Sequence, residues 1–314
     1  MSLSKTERYS RNMLNKSKLN AALKLCREKG IRQVSTEGIC HIGSLLYPTT
    51  NIFDRDWDLM IVLDACRLDL MCEVEQEFEF IQSVDYIYSV GSKTTEWMRN
   101  TFSKKYSQPI KDTTYVCGNP NSNKHLEPSM FGRLDEVWRY GWDDQVGALP
   151  PEPVTDKAIS LSRTQDQSKM LLHYMQPHEP FLASSEFGGK DSAERIAGFS
   201  DGQFNSIWSR LEDGQVDESK VWEAYRENLR LILDNIRVLV NNIDAEKVVI
   251  TSDHGNAFGE YGIYGHPANR PIPQLIKVPW IELSASDSGQ YSPKKREYVD
   301  ESNLKSKLRD LGYA

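Results

Sequence analysis

A chain of 314 residues with 39% hydrophobic and 26% charged side chains has the material for one large α/β domain with a sizeable core. Its net charge of -7 argues against nucleic acid as a partner, because phosphate backbones are held by an excess of Lys and Arg, yet leaves room for a local basic pocket around a small anion. No apolar run approaches the ~18 residues of a transmembrane segment, and five cysteines without a C-x-x-C pair fit reduced thiols in a cytoplasm rather than a disulfide frame.

The first 45 residues read as a helical N-terminal extension. Residues 6–30 have helical spacing that ends at Gly30, a surplus of Lys and Arg, and no apolar core of a secretory signal. The run Leu59 to Leu63 is short and continuously apolar, as in a buried parallel strand, and Asp64 closes it. Residues 68–78 follow as a helix. Gly91-Ser92-Lys93-Thr94-Thr95 is a small-residue turn before a helical stretch, where a Thr can cap the helix and free N–H groups can face an anion. Thr113 to Cys117 and residues 169–175 read as strands, with residues 118–150 a long loop region between them. Residues 184–216 read as a polar excursion or lid. The strongest helix spans 217–243, with Val221, Trp222, Tyr225, Leu229, Ile232, Ile236 and Leu239 on one face. Lys247 to Ser252 is a further strand, followed by Asp253-His254-Gly255. Residues 284–297 read as loop and 300–311 as a terminal helix.

Strands alternating with helices imply a mainly parallel sheet covered on both faces, and ligands collect at the carboxyl ends of such strands. Asp64, His178, Asp253 and His254 all fall just after predicted strands. A carboxylate and an imidazole leaving one strand side by side suit zinc, manganese or a similar ion, provided the backbone turns, and Gly255 permits a turn. His41, His125 and His173 take a structural reading; His173 falls inside a predicted buried strand.

Three stretches carry a resemblance: Met60 to Arg67, Tyr174 to Phe181 and, most specific, Val248 to His266. With the ending Leu308 to Tyr313, they resemble the alkaline phosphatase superfamily in its sulfatase-like branch, uncharacterised archaeal members included. The resemblance implies an alkaline phosphatase-like three-layer sandwich over residues 46–314. It implies a metal-dependent hydrolase or transferase of phosphoric esters that works through a covalent phospho-threonine. Asp64, Thr94, Asp253 and His254 match metal ligands, and the ion would be Mn, Zn, Ca or Mg. Thr94 also matches the nucleophile, with Thr95 and Ser92 close by as alternatives. His178 and His266 match catalytic histidines at the substrate, His178 as a leaving-group acid. Lys93 and Arg67 would help hold the anion, which a glycan or lipid head group could carry. Oligomeric state stays open.

Two departures from the family pattern shape the expectation. Tyr174 stands where two-metal phosphatases place a further ligand and Ala65 where some sulfatases place a second carboxylate, so one ion is expected. No cysteine sits in a C/S-x-P-x-R sequence, and Ser107-Gln108-Pro109-Ile110-Lys111 ends in Lys and leads into a strand rather than opening a helix. Phosphate chemistry is therefore favoured over the alternative of a sulfatase. The other alternative is a non-catalytic member that binds an anion or glycan.

Overall fold

The computed structural model describes residues 47–143, 146–164, 169–188 and 206–296. The expected N-terminal extension, the terminal helix over 300–311 and most of the polar excursion lie outside the described residues.

Seven strands form the central sheet in the order β2-β9-β6-β1-β5-β3-β4. They are β1 (Leu59–Asp64), β2 (Asp85–Tyr88), β3 (Thr113–Cys117), β4 (Arg133–Glu136), β5 (Lys169–Pro177), β6 (Ala245–Ser252) and β9 (Lys277–Ala285). The five strands from β6 to β4 run parallel, and β9 joins antiparallel at the far side of β6. A two-residue pair, β7 (Ala257–Phe258) and β8 (Tyr264–Gly265), stands apart from the sheet. The expected architecture, a mainly parallel α/β sandwich, is present. β4 lies within 118–150, read from the sequence as loop. It is a four-residue edge strand with one buried side chain, too short for its alternation to show. Ser107–Lys111 is a short helix that leads into β3 as expected, rather than opening a helix beyond it.

The sheet sorts its side chains by parity. Leu59, Ile61 and Leu63 of β1, Leu172 and Tyr174 of β5, and Val248 and Ile250 of β6 pack in one layer. That layer is closed by helices α1 (Leu68–Val74), α3 (Glu152–Thr164) and α5 (Glu218–Val240). Met60 and Val62, Leu171, Val249, Tyr115 and Cys117 face the other layer, with Trp97 and Met98 of helix α2 (Thr94–Thr101). The apolar stripe of α5 read from the sequence is this buried face: Val221, Tyr225, Leu229, Ile232, Ile236 and Leu239 are all fully buried, while Trp222 sits half-buried at its edge. No described helix is long and apolar enough to cross a membrane.

Candidate metal centre and cleft

Parity and register bring three side chains to one place. Val62 of β1 stands opposite His173 of β5, and Asp64 lies two residues further along the same face. The pairing of β1 with β5 shifts between Leu63 and Asp64, where β1 ends. β6 runs beside β1 on its other flank and delivers Asp253 and His254 one step past its own end.

The turn after β1 is held in an unusual shape. Ala65 has φ of 61°, a left-handed conformation that a residue with a Cβ adopts at a cost of about 1 kcal/mol or more. Its N–H donates to Asp253 Oδ1 at 3.0 Å, and its carbonyl accepts from the Tyr225 hydroxyl. The His254 N–H also donates to Asp253 Oδ1, at 2.9 Å. One oxygen of Asp253 is thus fully engaged and the other, Oδ2, is turned inward. Gly255 matters for closeness rather than for a turn: a Cβ there would collide with the Gln274 carbonyl, while its N–H donates to the Leu275 carbonyl at 2.8 Å.

His254 has a defined tautomer. Its Nδ1 lies 2.9 Å from the Gly255 carbonyl, which can only accept, so Nδ1 carries the proton and Nε2 is a bare lone pair. That Nε2 is 3.1 Å from the Thr94 hydroxyl, 3.3 Å from Asp253 Oδ2 and 3.7 Å from Asp64 Oδ1. Asp64 is held from behind, where Asn119 Nδ2 donates to its Oδ2 at 2.5 Å.

Asp64 Oδ1, Asp253 Oδ2 and His173 Nε2 are all buried without a hydrogen-bond partner among the described residues. Leaving three such atoms bare costs several kcal/mol in total unless something pairs with them. One donor atom each from Asp64, His173 and Asp253 lie within 4.8 Å of one another. Two carboxylates and imidazole nitrogens, close together and dry, form a donor set that fits a divalent cation of the zinc or manganese type. Burial and the neighbouring Asp253 drive the Asp64 carboxyl well above its ordinary value. Burial drives His173 down to about 4, so it is neutral at pH 7.

His173 was given a structural reading, and half of that reading holds. Its Nδ1 meets the Tyr115 hydroxyl at 2.8 Å and its ring packs against Trp97. The other nitrogen faces the two carboxylates, 3.9 Å from Asp253 Oδ2. Only the β1–β5 register reveals this.

Thr94 does not cap helix α2. It is the first helical residue; Lys93 holds the cap position, and no side chain caps the helix. Of the three hydroxyls considered, Ser92 is occupied: it is within hydrogen-bond distance of Glu96 Oε2 and the Pro267 carbonyl and accepts from the Arg270 N–H. Thr94 alone of the three both contacts His254 and lines the cleft described next.

Above these groups opens a cleft of about 430 Å³. Thr94, Asp64, Lys93, His178, His266, Glu179, Trp208 and Tyr264 line it. The His266 ring lies between the other two, stacked on His254 at 4.7 Å and edge-on to His178 at 4.9 Å. His178 Nδ1 donates to the Glu179 carbonyl at 2.6 Å, and His266 Nδ1 donates to Asn256 Oδ1 at 2.6 Å. Each therefore keeps Nε2 bare. Burial pushes His178 down to about 4 and His266 lower still. In the resting protein both are acceptors, not the acid expected of His178.

One wall of the cleft is helix α4 (Ile207–Glu212), from the region read as an excursion. Its N-terminal Ile207 N–H donates to Glu179 Oε2 at 3.1 Å, and burial pushes that carboxyl up to about 7. Trp208 packs on Phe258 and over Gly265, whose φ of 65° and closeness to the indole both suit glycine.

Arg67 corrects the sequence reading. Its guanidinium donates to Asp69, to Glu260 and to the Asn256 carbonyl, and it stacks over Trp222. It braces the loop that carries the site instead of reaching for a substrate. Of the two additional-ligand positions, Tyr174 turns its hydroxyl to Thr155 in the opposite layer, and Ala65 offers no donor side chain.

No family model and no curated protein matches the chain. Solved structures do. The integral membrane lipooligosaccharide phosphoethanolamine transferase A of Neisseria meningitidis superposes with a TM-score of 0.50 at 14% identity, over 79% of this chain and 50% of that one. The chain has the alkaline phosphatase-like fold. The soluble domain of the same transferase gives 0.49 at 14% identity over 79% and 80% of the two chains. The periplasmic domain of phosphoethanolamine transferase EptC of Campylobacter jejuni gives 0.45 at 15% identity over 84% and 87%.

Proposed function

We propose that this chain transfers or hydrolyses a phosphoric ester through a phospho-threonine formed on Thr94. The observation that carries the reading is the placement of the Thr94 hydroxyl, at the uncapped start of α2 and 3.1 Å from the bare Nε2 of His254, beside two buried carboxylates. Asp64, Asp253, His254 and the Thr94 hydroxyl would hold one divalent cation. Such an ion, when bound, makes the hydroxyl a better nucleophile and offsets charge on the substrate.

The chain's own groups account for the rest. Thr94 Oγ1 forms the new bond to phosphorus as the bond to the leaving group breaks, and the Thr94 proton passes by way of the bare Nε2 of His178 or His266 to the departing oxygen. First-turn N–H groups of α2, with no side-chain cap, are free to hold nonbridging oxygens, and Lys93 at the cap position adds charge. In the second half, water or an acceptor hydroxyl must lose a proton as it attacks the phosphothreonine. The bare Nε2 of His178 or His266 is suited to take it. The phosphoethanolamine transferase that shares the fold supports an acceptor hydroxyl over water, and a substrate with a glycan or lipid portion.

Two measurements test the reading. The full chain, supplied with manganese, zinc or calcium, is offered aryl phosphate, phosphodiester and aryl sulfate. It is then quenched and digested, and the Thr94 peptide is weighed. Ester turnover with a phosphate-sized mass gain on Thr94 is expected. Faster turnover of sulfate, or modification at Ser92 or Thr95, would sink the proposal.

A further inference from the structure

Hydrogen bonds among buried side chains line the back of the site. His173 Nδ1 meets the Tyr115 hydroxyl at 2.8 Å. Cys117 Sγ donates to the Asn119 carbonyl at 3.4 Å, and the Asn119 side chain donates to Asp64 Oδ2 at 2.5 Å. All five residues are buried.

The proton positions follow from what faces each nitrogen of His173. Nε2 is buried with no hydrogen-bond partner among the described residues and is directed at Asp253 Oδ2 and Asp64. The Tyr115 hydroxyl at Nδ1 can accept as well as donate. If Tyr115 donated to Nδ1, an N–H would stand at Nε2, 3.9 Å from Asp253 Oδ2 and too far to bond it. With Nδ1 donating to Tyr115, Nε2 is instead a lone pair facing the two carboxylates.

We infer that His173 is a further ligand of the cation, closing the site from the sheet side, and that the Tyr115 hydroxyl at its Nδ1 holds it in the ligating tautomer. The inference rests on the metal-centre reading above. It adds a second imidazole to the donor set and makes Tyr115 a positioning residue. A hydrogen bond to the far nitrogen of a ligating histidine fixes ring orientation and strengthens the lone pair, and losing one weakens metal binding about 10- to 100-fold.

The test is cobalt(II) chloride titrated into the metal-free full-length protein, read by its d–d absorption, with a chelator competition for affinity. Wild type, His173→Gln and Tyr115→Phe are compared. The expected result is one equivalent bound by wild type, binding about 10- to 100-fold weaker with an altered d–d spectrum in His173→Gln, and about tenfold weaker in Tyr115→Phe. Equal affinity and an unchanged spectrum in His173→Gln would overturn the inference while leaving the metal centre standing. No uptake by wild type would remove the metal centre itself, and this inference with it. A readout that needs no variant is ¹⁵N-histidine NMR of the metal-free wild type: a protonated Nδ1 on His173 supports the assignment, and a protonated Nε2 overturns it.

Discussion

The Thr94 hydroxyl and His254 Nε2 lie 3.1 Å apart, and the opposite nitrogen of that imidazole is tied to the Gly255 carbonyl. The ring cannot swing away from Thr94 without losing that bond and its stacking on His266. Two donors at this separation are what a shared ion with ~2.0–2.2 Å ligand bonds requires. Thr94→Ala should therefore remove the covalent step and lower kcat/KM by about 10⁴-fold or more. Thr94→Ser, which keeps an oxygen at the same place, should retain measurable turnover and a phosphorylated peptide. Equal activity in wild type and Thr94→Ala would show that another group attacks.

The paired carboxylates predict how the metal-free protein responds to pH. Burial and Asp253 raise Asp64 in the folded state above its unfolded value of about 4. The folded state then holds a proton that the unfolded state releases, so stability falls as pH rises from about 4 towards the raised value. Asp64→Asn should flatten that decline in a denaturation series. Excess zinc or manganese should reverse it in wild type by binding only the folded state, raising Tm by several degrees. Identical pH profiles from 4 to 7 in metal-free wild type and Asp64→Asn would contradict the assigned pairing.

His178 makes the opposite contribution. Its folded value is about 4 against an unfolded value of about 6.5. As pH falls between those limits, the unfolded chain takes up the proton first and the folded state loses ground. The ring is partly open to the cleft, so the effect is on the order of 1 kcal/mol. His178→Gln should remove that part of the acid limb. If Nε2 takes the acceptor's proton, the same variant should slow breakdown of the phosphothreonine more than its formation, seen as accumulation of the labelled peptide in a pulse–chase.

How much of this was legible in the sequence depended on whether local pattern was enough. β1, β3, β5, β6 and α5 announce themselves by continuous apolar runs or by a 3.6-residue stripe, and Asp64, Asp253 and His254 follow from standing at strand ends. His173 was hidden because its role depends on its partner across the sheet: beside Val62 it faces two carboxylates, and its own neighbours in sequence look like core. Gly255 was read for the wrong property, since nothing local signals the approach of the Gln274 carbonyl. Arg67 misled for a related reason. Asp69 is visible two residues away, but Glu260 and Trp222 reach it only through folding.

Arg67 and Lys93 should consequently separate cleanly by mutation, although both are cations close to the site in sequence. Lys93 lines the cleft, half-buried at the start of α2, with its charge available to an anion. Lys93→Met should raise KM about tenfold, the worth of one charge-assisted contact, with Tm unchanged. Arg67 is buried, with its guanidinium shared among Asp69, Glu260 and a carbonyl. Replacing it strands those acceptors, but the Asp69 side chain is 55% exposed and Glu260 27%, so solvent recovers part of the loss. Arg67→Met should cost about 2 kcal/mol, less than a fully buried pair, and appear as a lower denaturation midpoint. KM should stay near wild type in whatever fraction remains folded. A large KM effect with full stability in Arg67→Met would restore it as a substrate contact and would mean that the Asp69 and Glu260 pairs open when the anion binds.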